Sequence, residues 1–366
     1  MAEHTLFFAS PDMRGLGMKL QRAALAALRA RGVNYVVMRA GVRGSGPRLG
    51  AIYRRLGDTG SLGKVTGNLA NDILAEGDLS GAIKLYEEAA ELDRAAGDSG
   101  ALATIVYNEA NVQELRGDLP AAKRGFEESL EVWRKGGDQR SSGYALHSVG
   151  ELLLAEDDLA GARKSLEEGL AIRKAAGDKI TVAETGLLLA SLSLEEGRSP
   201  AAAEAVVRQT IEDFQEEKAS DDESLAWNAL ACALIAQQKF GEAKHAADQA
   251  VLLSKKSQTL ELQFENKILA ARVQMLDATP GSSPAVRAAA MRQLASVESE
   301  AQKRGYVGVE LEARLAASEI EMRAGPKAAS EAHRATLEND ARARQFNLIA
   351  RKATALKQGA KVVTLP

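Results

Sequence analysis

Small and large apolar residues recur along this chain at fixed, widely spaced positions. Ala82, Ala122, Ala162 and Ala202 fall at one constant interval, and Tyr86, Phe126, Leu166 and Val206 follow them by four. A second set, Ala70, Ala110, Gly150 and Ala190, keeps the same interval. Residues four apart share one face of an α-helix, and the small member lets a neighbouring helix come close. Punctuation falls at half that interval, at Gly57-Asp58, Gly77-Asp78, Gly97-Asp98, Gly117-Asp118, Gly137-Asp138 and Gly177-Asp178, with Asp157-Asp158 on the one beat without glycine. A glycine just past a helix end adopts the left-handed conformation without steric cost, and the aspartate after it caps the next helix. The pattern predicts one helix per beat and one helical hairpin, of about 40 residues, per full interval. A hairpin of this kind buries its apolar face by stacking on its neighbours, so the chain is predicted to be mainly α, a right-handed α-solenoid of about seven hairpins.

The predicted hairpins pair helices over 61–76 and 79–96, 99–116 and 119–136, 139–156 and 159–176, 179–196 and 200–218, then 221–237 and 240–255. Pro120, Pro200, Pro284 and Pro326 each sit in the first turn of a second helix, where the missing N–H costs nothing. The beat loosens around the loop Thr279-Pro280-Gly281-Ser282-Ser283. Helices over 260–276 and 284–303 make a sixth hairpin, and 307–323 with 327–342 a seventh. A basic last helix, 344–357, turns Phe346, Leu348 and Ile349 inward to close the final groove. The division is a head at 1–57, an array at 58–278 and divergent hairpins with a capping helix at 279–366.

The head reads differently. A strand at Thr5–Phe8, a glycine turn, a helix over 18–31, a strand at Asn34–Arg39 and a helix over 47–56 form a small βαβα fragment. Its crossover is right-handed, and free amides at a helix N-terminus after such a turn can hold phosphate. Arg14-Gly15-Leu16-Gly17 opening a helix, with Tyr53-Arg54-Arg55-Leu56-Gly57 further on, resembles the C-terminal half of a GNAT-type N-acetyltransferase. The resemblance implies that Arg14, Gly15 and Gly17 would hold the acetyl-CoA pyrophosphate, with Tyr53 at the place of that family's tyrosine general acid. The half of that family which builds the acceptor site has no counterpart in the sequence, so the fragment reads as truncated.

Charge sharpens the division. The formal net charge is −3, but residues 1–57 carry ten Lys and Arg against Glu3 and Asp12, a balance of +8 that leaves −11 for the rest. Without interleaved aromatics or a recognition motif, the basic head reads as solvated surface, and no nucleic-acid partner is expected. The single cysteine, Cys232, excludes an intramolecular disulfide framework and fits a buried packing thiol in a reducing compartment. No apolar run approaches the roughly 18 residues of a membrane helix, and the start lacks a signal-peptide layout. A cytoplasmic protein is expected.

The hairpins carry a second resemblance. Asn68-Leu69-Ala70-Asn71, Gly77-Asp78-Leu79, Ala82 and Tyr86-Glu87-Glu88 recur as Asn108-Glu109-Ala110-Asn111, Gly117-Asp118-Leu119, Ala122 and Phe126-Glu127-Glu128. A third copy runs through Glu151, Asp157-Asp158-Leu159, Ala162 and Leu166-Glu167-Glu168. These resemble the longer tetratricopeptide repeats of kinesin light chains and bacterial regulators. The resemblance implies that first helices line a concave face. Aligning the copies sets Asn68, Asn108 and Ser148 at one outward position, Asn71, Asn111 and Glu151 at another, and Tyr107, His147 and Asn228 at a third. Asn amides can clamp a peptide backbone whatever its side chains, or they bond within and between repeats. Trp227 is placed in groove or core, and Trp133 in packing. The Glu-Glu pairs of the second helices read as solvent-facing surface.

No metal-ligand cluster and no nucleophile–base set stands out. The leading expectation is a non-enzymatic scaffold that binds a peptide or partner segment in the concave groove, in bacterial signalling or regulation. Two others stay open: an acetyl-CoA-dependent N-acetyltransferase whose array holds clients, and a ligand sensor acting on a separate kinase or transcription effector. Isothermal titration of acetyl-CoA separates the first of these. Acetyl transfer by the head requires binding heat with the full chain that residues 58–366 alone do not give.

Overall fold

The computed structural model describes Tyr53 and residues 57–276, 284–324 and 327–357. Among the described residues there are fifteen α-helices and no strand. They are α1 (Thr59–Ala75), α2 (Leu79–Ala96), α3 (Ser99–Leu115), α4 (Leu119–Gly136), α5 (Gln139–Ala155), α6 (Leu159–Ala176), α7 (Lys179–Glu195), α8 (Pro200–Glu217), α9 (Ser220–Ala236), α10 (Phe240–Ser254), α11 (Leu260–Leu276), α12 (Pro284–Arg304), α13 (Val307–Ala324), α14 (Lys327–Ala343) and α15 (Asn347–Lys357). Each odd helix up to α13 pairs with the even one after it, as the beat predicts. The predicted βαβα fragment, Arg14, Gly15 and Gly17, the 279–283 loop and Pro326 lie outside the described residues.

The turns explain the beat. The six glycines of the Gly-Asp dipeptides have φ between 68° and 82°, and Asp157 has φ 65°, so the beat without glycine makes the same left-handed turn. Each following aspartate accepts the backbone N–H three residues on, at 2.8–3.3 Å. Helix start and stop are thereby fixed together, and every hairpin enters the stack in the same register.

Small and large residues meet where expected in the first three hairpins: Ala82, Ala122, Ala162, Tyr86, Phe126 and Leu166 are all fully buried. The fourth copy departs from the expectation. Ala202 is exposed and Val206 is 45% exposed, while Ala203 and Val207 are buried instead. Arg198 stands where the earlier turns have aspartate, and Ser199 caps α8 one residue later. One added residue rotates the inward face of α8 by one position. The left-handed residues that follow, Lys218 and Gln238, carry the same displacement.

Tyr53 is buried against Leu62, Val65 and Leu92 at the start of the array. At the other end the solenoid folds back on itself. Leu79, Ile83 and Val112 share one apolar cluster with Phe264, Ile268, Tyr306 and Val309, and Leu119 shares another with Val307, Leu311, Phe346 and Ile349. The last helix thus does more than close the final hairpin. It reaches hairpins two and three, where the Asn347 side-chain amide donates to the Glu156 carbonyl at 3.2 Å.

This closure separates two otherwise similar turns. Gly97 and Gly117 have φ 71° and 76°, yet a Cβ at Gly97 meets nothing within 4 Å, while one at Gly117 falls 2.6 Å from Val307 Cγ1. Gly97→Ala should cost about 1 kcal/mol, the strain of a left-handed L-residue. Gly117→Ala should lose a further ~1–3 kcal/mol through overpacking. Urea unfolding of the two variants measures the difference.

Candidate functional site

The odd helices face inward because the even ones take the outer layer. Glu87-Glu88, Glu127-Glu128 and Glu167-Glu168 are exposed there, and Arg208 bridges successive second helices to Glu242 at 3.1 Å. Inside, α3, α5, α7, α9, α11, α13 and α15 enclose a cavity of about 350 Å³. Apart from Tyr306 and Phe346, in the turns before α13 and α15, every lining residue comes from an odd helix.

Its chemistry is acidic on an apolar wall. Glu114 of α3, Glu151 of α5, Glu261 and Glu265 of α11 and Glu312 of α13 line it, beside Leu115, Leu154, Ile268, Val309, Phe346 and Ile349. Glu261 and Glu265 lie one turn apart and so project from the same face of α11. Arg272 is the single cation of the described lining, and it is engaged by Glu312 at 2.9 Å and Glu319 at 3.2 Å. The side chains of Glu114, Glu151, Glu261 and Glu265 have no hydrogen-bond or ion-pair partner among the described residues.

Water reaches these four carboxylates through the cavity, and Glu151 is exposed by area. Protein nevertheless surrounds them, and their charged forms are poorly solvated. Burial, with help from neighbouring carboxylates, lifts Glu114 and Glu265 well above the usual range. Burial and then Glu151 raise Glu261 to about 7. Burial also raises Glu151, against the opposing pull of Arg173. Desolvation and like-charge repulsion act in the same direction here.

The residues singled out from the sequence lie in different places. Asn111, Glu151 and Asn228 line the cavity; the Asn111 amide donates to the Tyr107 carbonyl at 3.0 Å. Ser148 and Asn228, aligned to outward positions, are buried struts between hairpins. Ser148 bonds the Tyr107 hydroxyl at 2.9 Å, and the Asn228 amide donates to Asn266 Oδ1 at 2.9 Å. Tyr107 packs on Phe126 and Trp133. His147 lies 3.3 Å from Arg173 Nη1, and burial, followed by that guanidinium, lowers its pKa to about 3. Trp227 is half-buried, its indole N–H donating to Glu223 at 3.1 Å. Asn71 is exposed and accepts the Tyr86 hydroxyl. Asn68 is exposed and Asn108 half-buried, and neither lines the cavity.

Sequence alignment missed Glu114, Glu261, Glu265, Arg272 and Glu312. For Glu114 a signal existed, since it stands three residues after Asn111 on the same helix face. Glu261, Glu265 and Arg272 lie in the sixth hairpin and Glu312 in the seventh, where the copies were not aligned. Cys232 also lines the cavity, fully buried, and burial pushes its thiol up to about 12. Among the described residues no three His, Cys, Asp or Glu side chains converge as metal ligands, and no helix is long and apolar enough to cross a membrane.

The sequence model of the tetratricopeptide repeat family matches residues 61–135, which span most of α1 to α4. The first two hairpins are thus similar to tetratricopeptide repeats, and the array has a helical-solenoid fold. No curated protein matches the chain. Among solved structures, the chain is similar to the Rap conjugation gene regulator of plasmid pLS20 in complex with the Phr* peptide. That likeness has 14% identity, covers 93% of this chain and 84% of the other, and has a TM-score of 0.62. A Rap protein complexed with competence and sporulation factor shows 13% identity over 97% and 90%, with a TM-score of 0.57. The apo form of RapI shows 14% over 81% and 97%, with a TM-score of 0.53. At such identities the likeness is one of fold.

The raised carboxylate of Glu261 carries a pH signature. Its folded pKa, about 7, exceeds the ordinary 4.5, so between these values the folded chain holds more protons than the unfolded one. Stability from this group is greatest below about pH 4.5 and falls as pH rises towards 7. Glu261→Gln should raise the melting temperature at pH 7.5, and its advantage should vanish near pH 4.5 in thermal scans across that window.

Proposed function

We propose that this chain is a non-enzymatic interaction scaffold whose interior binds a peptide or partner segment bearing a basic side chain. The observation that carries this reading is the convergence of four unpaired carboxylates from α3, α5 and α11 in one cavity. A lysine or arginine side chain there would gain the ion pairs that the protein itself does not provide. The cavity lies within the ~300–1,000 Å³ range of ligand sites. The Asn111 and Asn228 side chains line the cavity beside the carboxylates, with their amides held by Tyr107 and Asn266. Asn68, Asn71 and Asn108 extend the contact surface along α1 and α3, with Tyr107, His147, Ser148 and Trp227 shaping it from behind.

The solved neighbours support the same class of ligand, since one is described in complex with the Phr* peptide and another with competence and sporulation factor. On this reading the protein works in the bacterial cytoplasm as a signalling component, and its bound segment alters its action on a separate effector.

Selection of random short peptides on the immobilised full chain tests the reading. Recovered sequences should be rich in Lys or Arg. Replacing the shared basic residue by Gln should weaken binding at least about tenfold by fluorescence polarisation, as should Glu151→Gln with Glu265→Gln. Binding indifferent to both changes would sink the proposal.

A further inference from the structure

Two kinds of contact close the solenoid. Where α11 to α13 meet α1 to α3, the join is apolar: Leu79, Ile83 and Val112 against Phe264, Ile268, Tyr306 and Val309. Where α15 meets the tips of α5 and α7, Leu348 packs against the cluster of Val149, Leu152 and Leu192, and charge pairs surround it. Arg351 bonds Asp157 at 2.9 Å and Glu195 at 3.0 Å, and Lys352 lies 2.7 Å from Glu195. Arg351 is 44% exposed, so salt reaches and weakens its pairs, whereas Lys352 and Glu195, at 2% and 5% exposed, form a pair that salt screens little.

The same helix forms part of the cavity. Phe346, just before α15, and Leu348 and Ile349 within it supply one wall. Its opposite face rests on α13 and α14, where Ala353 and Leu356 join Leu315 and Leu337. α15 therefore has a fixed apolar back, a front that joins charge pairs to one apolar contact at Leu348, and a position between the interior and the tips of two hairpins.

The geometry points to α15 as a gate: it pivots on α13 and α14, parts from Asp157 and Glu195, and so opens the acidic cavity. Opening exchanges the exposed Arg351 pairs for water and brings the buried Lys352–Glu195 pair into contact with it, while the apolar join between the first and last hairpins keeps the closure intact. Cys232 is a built-in reporter of this movement. It is the chain's single cysteine, lines the cavity, is fully buried, and lies near enough to Lys352 for that ammonium to act on its thiol. The gate does not depend on what the ligand is, so its failure would leave the basic-segment reading standing.

The experiment measures alkylation of Cys232 by iodoacetamide in the full-length protein, followed by mass spectrometry. Iodoacetamide is uncharged, so the acidic interior does not bias its approach. Arg351→Glu sets like charges against Asp157 and Glu195. Lys135→Glu, at an exposed pair with Glu131 on α4, is the control. Arg351→Glu should accelerate labelling about tenfold and Lys135→Glu not at all, as for a reaction through a locally opened state. Native protein should also label faster in about 0.5 M NaCl, where screening lengths fall to a few ångströms. An Arg351→Glu protein with native helix content by circular dichroism and the control's labelling rate overturns the gate. If that variant loses helix content, the salt series on the native chain decides: a rising rate supports the gate, and a flat one overturns it.

Discussion

The turn that joins a left-handed residue to a capping aspartate carries the geometry of the whole array. It keeps the connection short and satisfies the first free amides of the next helix, so helix length, not loop conformation, sets the stacking period. Equal periods keep every first helix on one side of the stack and every second helix on the other. The effect of a single addition shows how strict this is. With Arg198 in the aspartate's place and Ser199 as the cap, the buried pair moves from the expected Ala202 and Val206 to Ala203 and Val207. The helix is kept, and its face turns.

A solenoid built this way has no intrinsic end, and its inner surface stays open unless another part of the chain covers it. Here the cover comes from the last hairpins. Gly77 and Gly117, at the tips of the first two hairpins, leave room for Leu260, Tyr306, Val307 and Phe346 to press against them. The same absence of a Cβ that permits the left-handed turn also admits the returning helices. Closure places carboxylates from sequence-distant helices in one enclosure, and the raised pKa values of Glu114, Glu261 and Glu265 follow from that enclosure.

Local structure was legible because its causes are local. Capping, left-handed turns and the spacing of Ala82 from Tyr86 act within a few residues, and the helix limits read from them agree with the structure to within a few residues. The site was legible in part. Asn111 and Glu151 could be placed because they are copies of one position in successive hairpins. Ser148 and the Asn228 amide are instead held across hairpins by Tyr107 and Asn266, since a polar side chain at an inner position can bond across hairpins as well as face a ligand. The contribution of α11, α13 and α15 was not legible. Contacts such as Arg351 with Asp157, 194 residues apart, depend on how small rotations accumulate over seven hairpins, and no window of sequence contains that sum.

The cavity's unpaired carboxylates invite comparison with a lone acid elsewhere in the array. Asp93 is fully buried without a partner, beneath Gly63, and burial raises its pKa. A single acid in a sealed place is relieved by one proton, and the matter ends within the first hairpin. The four glutamates of the cavity differ in number and in access. Water reaches them, and Glu261, at about 7, keeps a share of negative charge at neutral pH. A proton on one relieves its neighbours only in part, whereas a cation placed among them acts on all four at once. Elsewhere in the interior the chain does supply partners, as in Asn228 with Asn266 and Arg272 with Glu312 and Glu319. What the four glutamates lack is a paired cation, which is the partner that the proposed basic segment would supply.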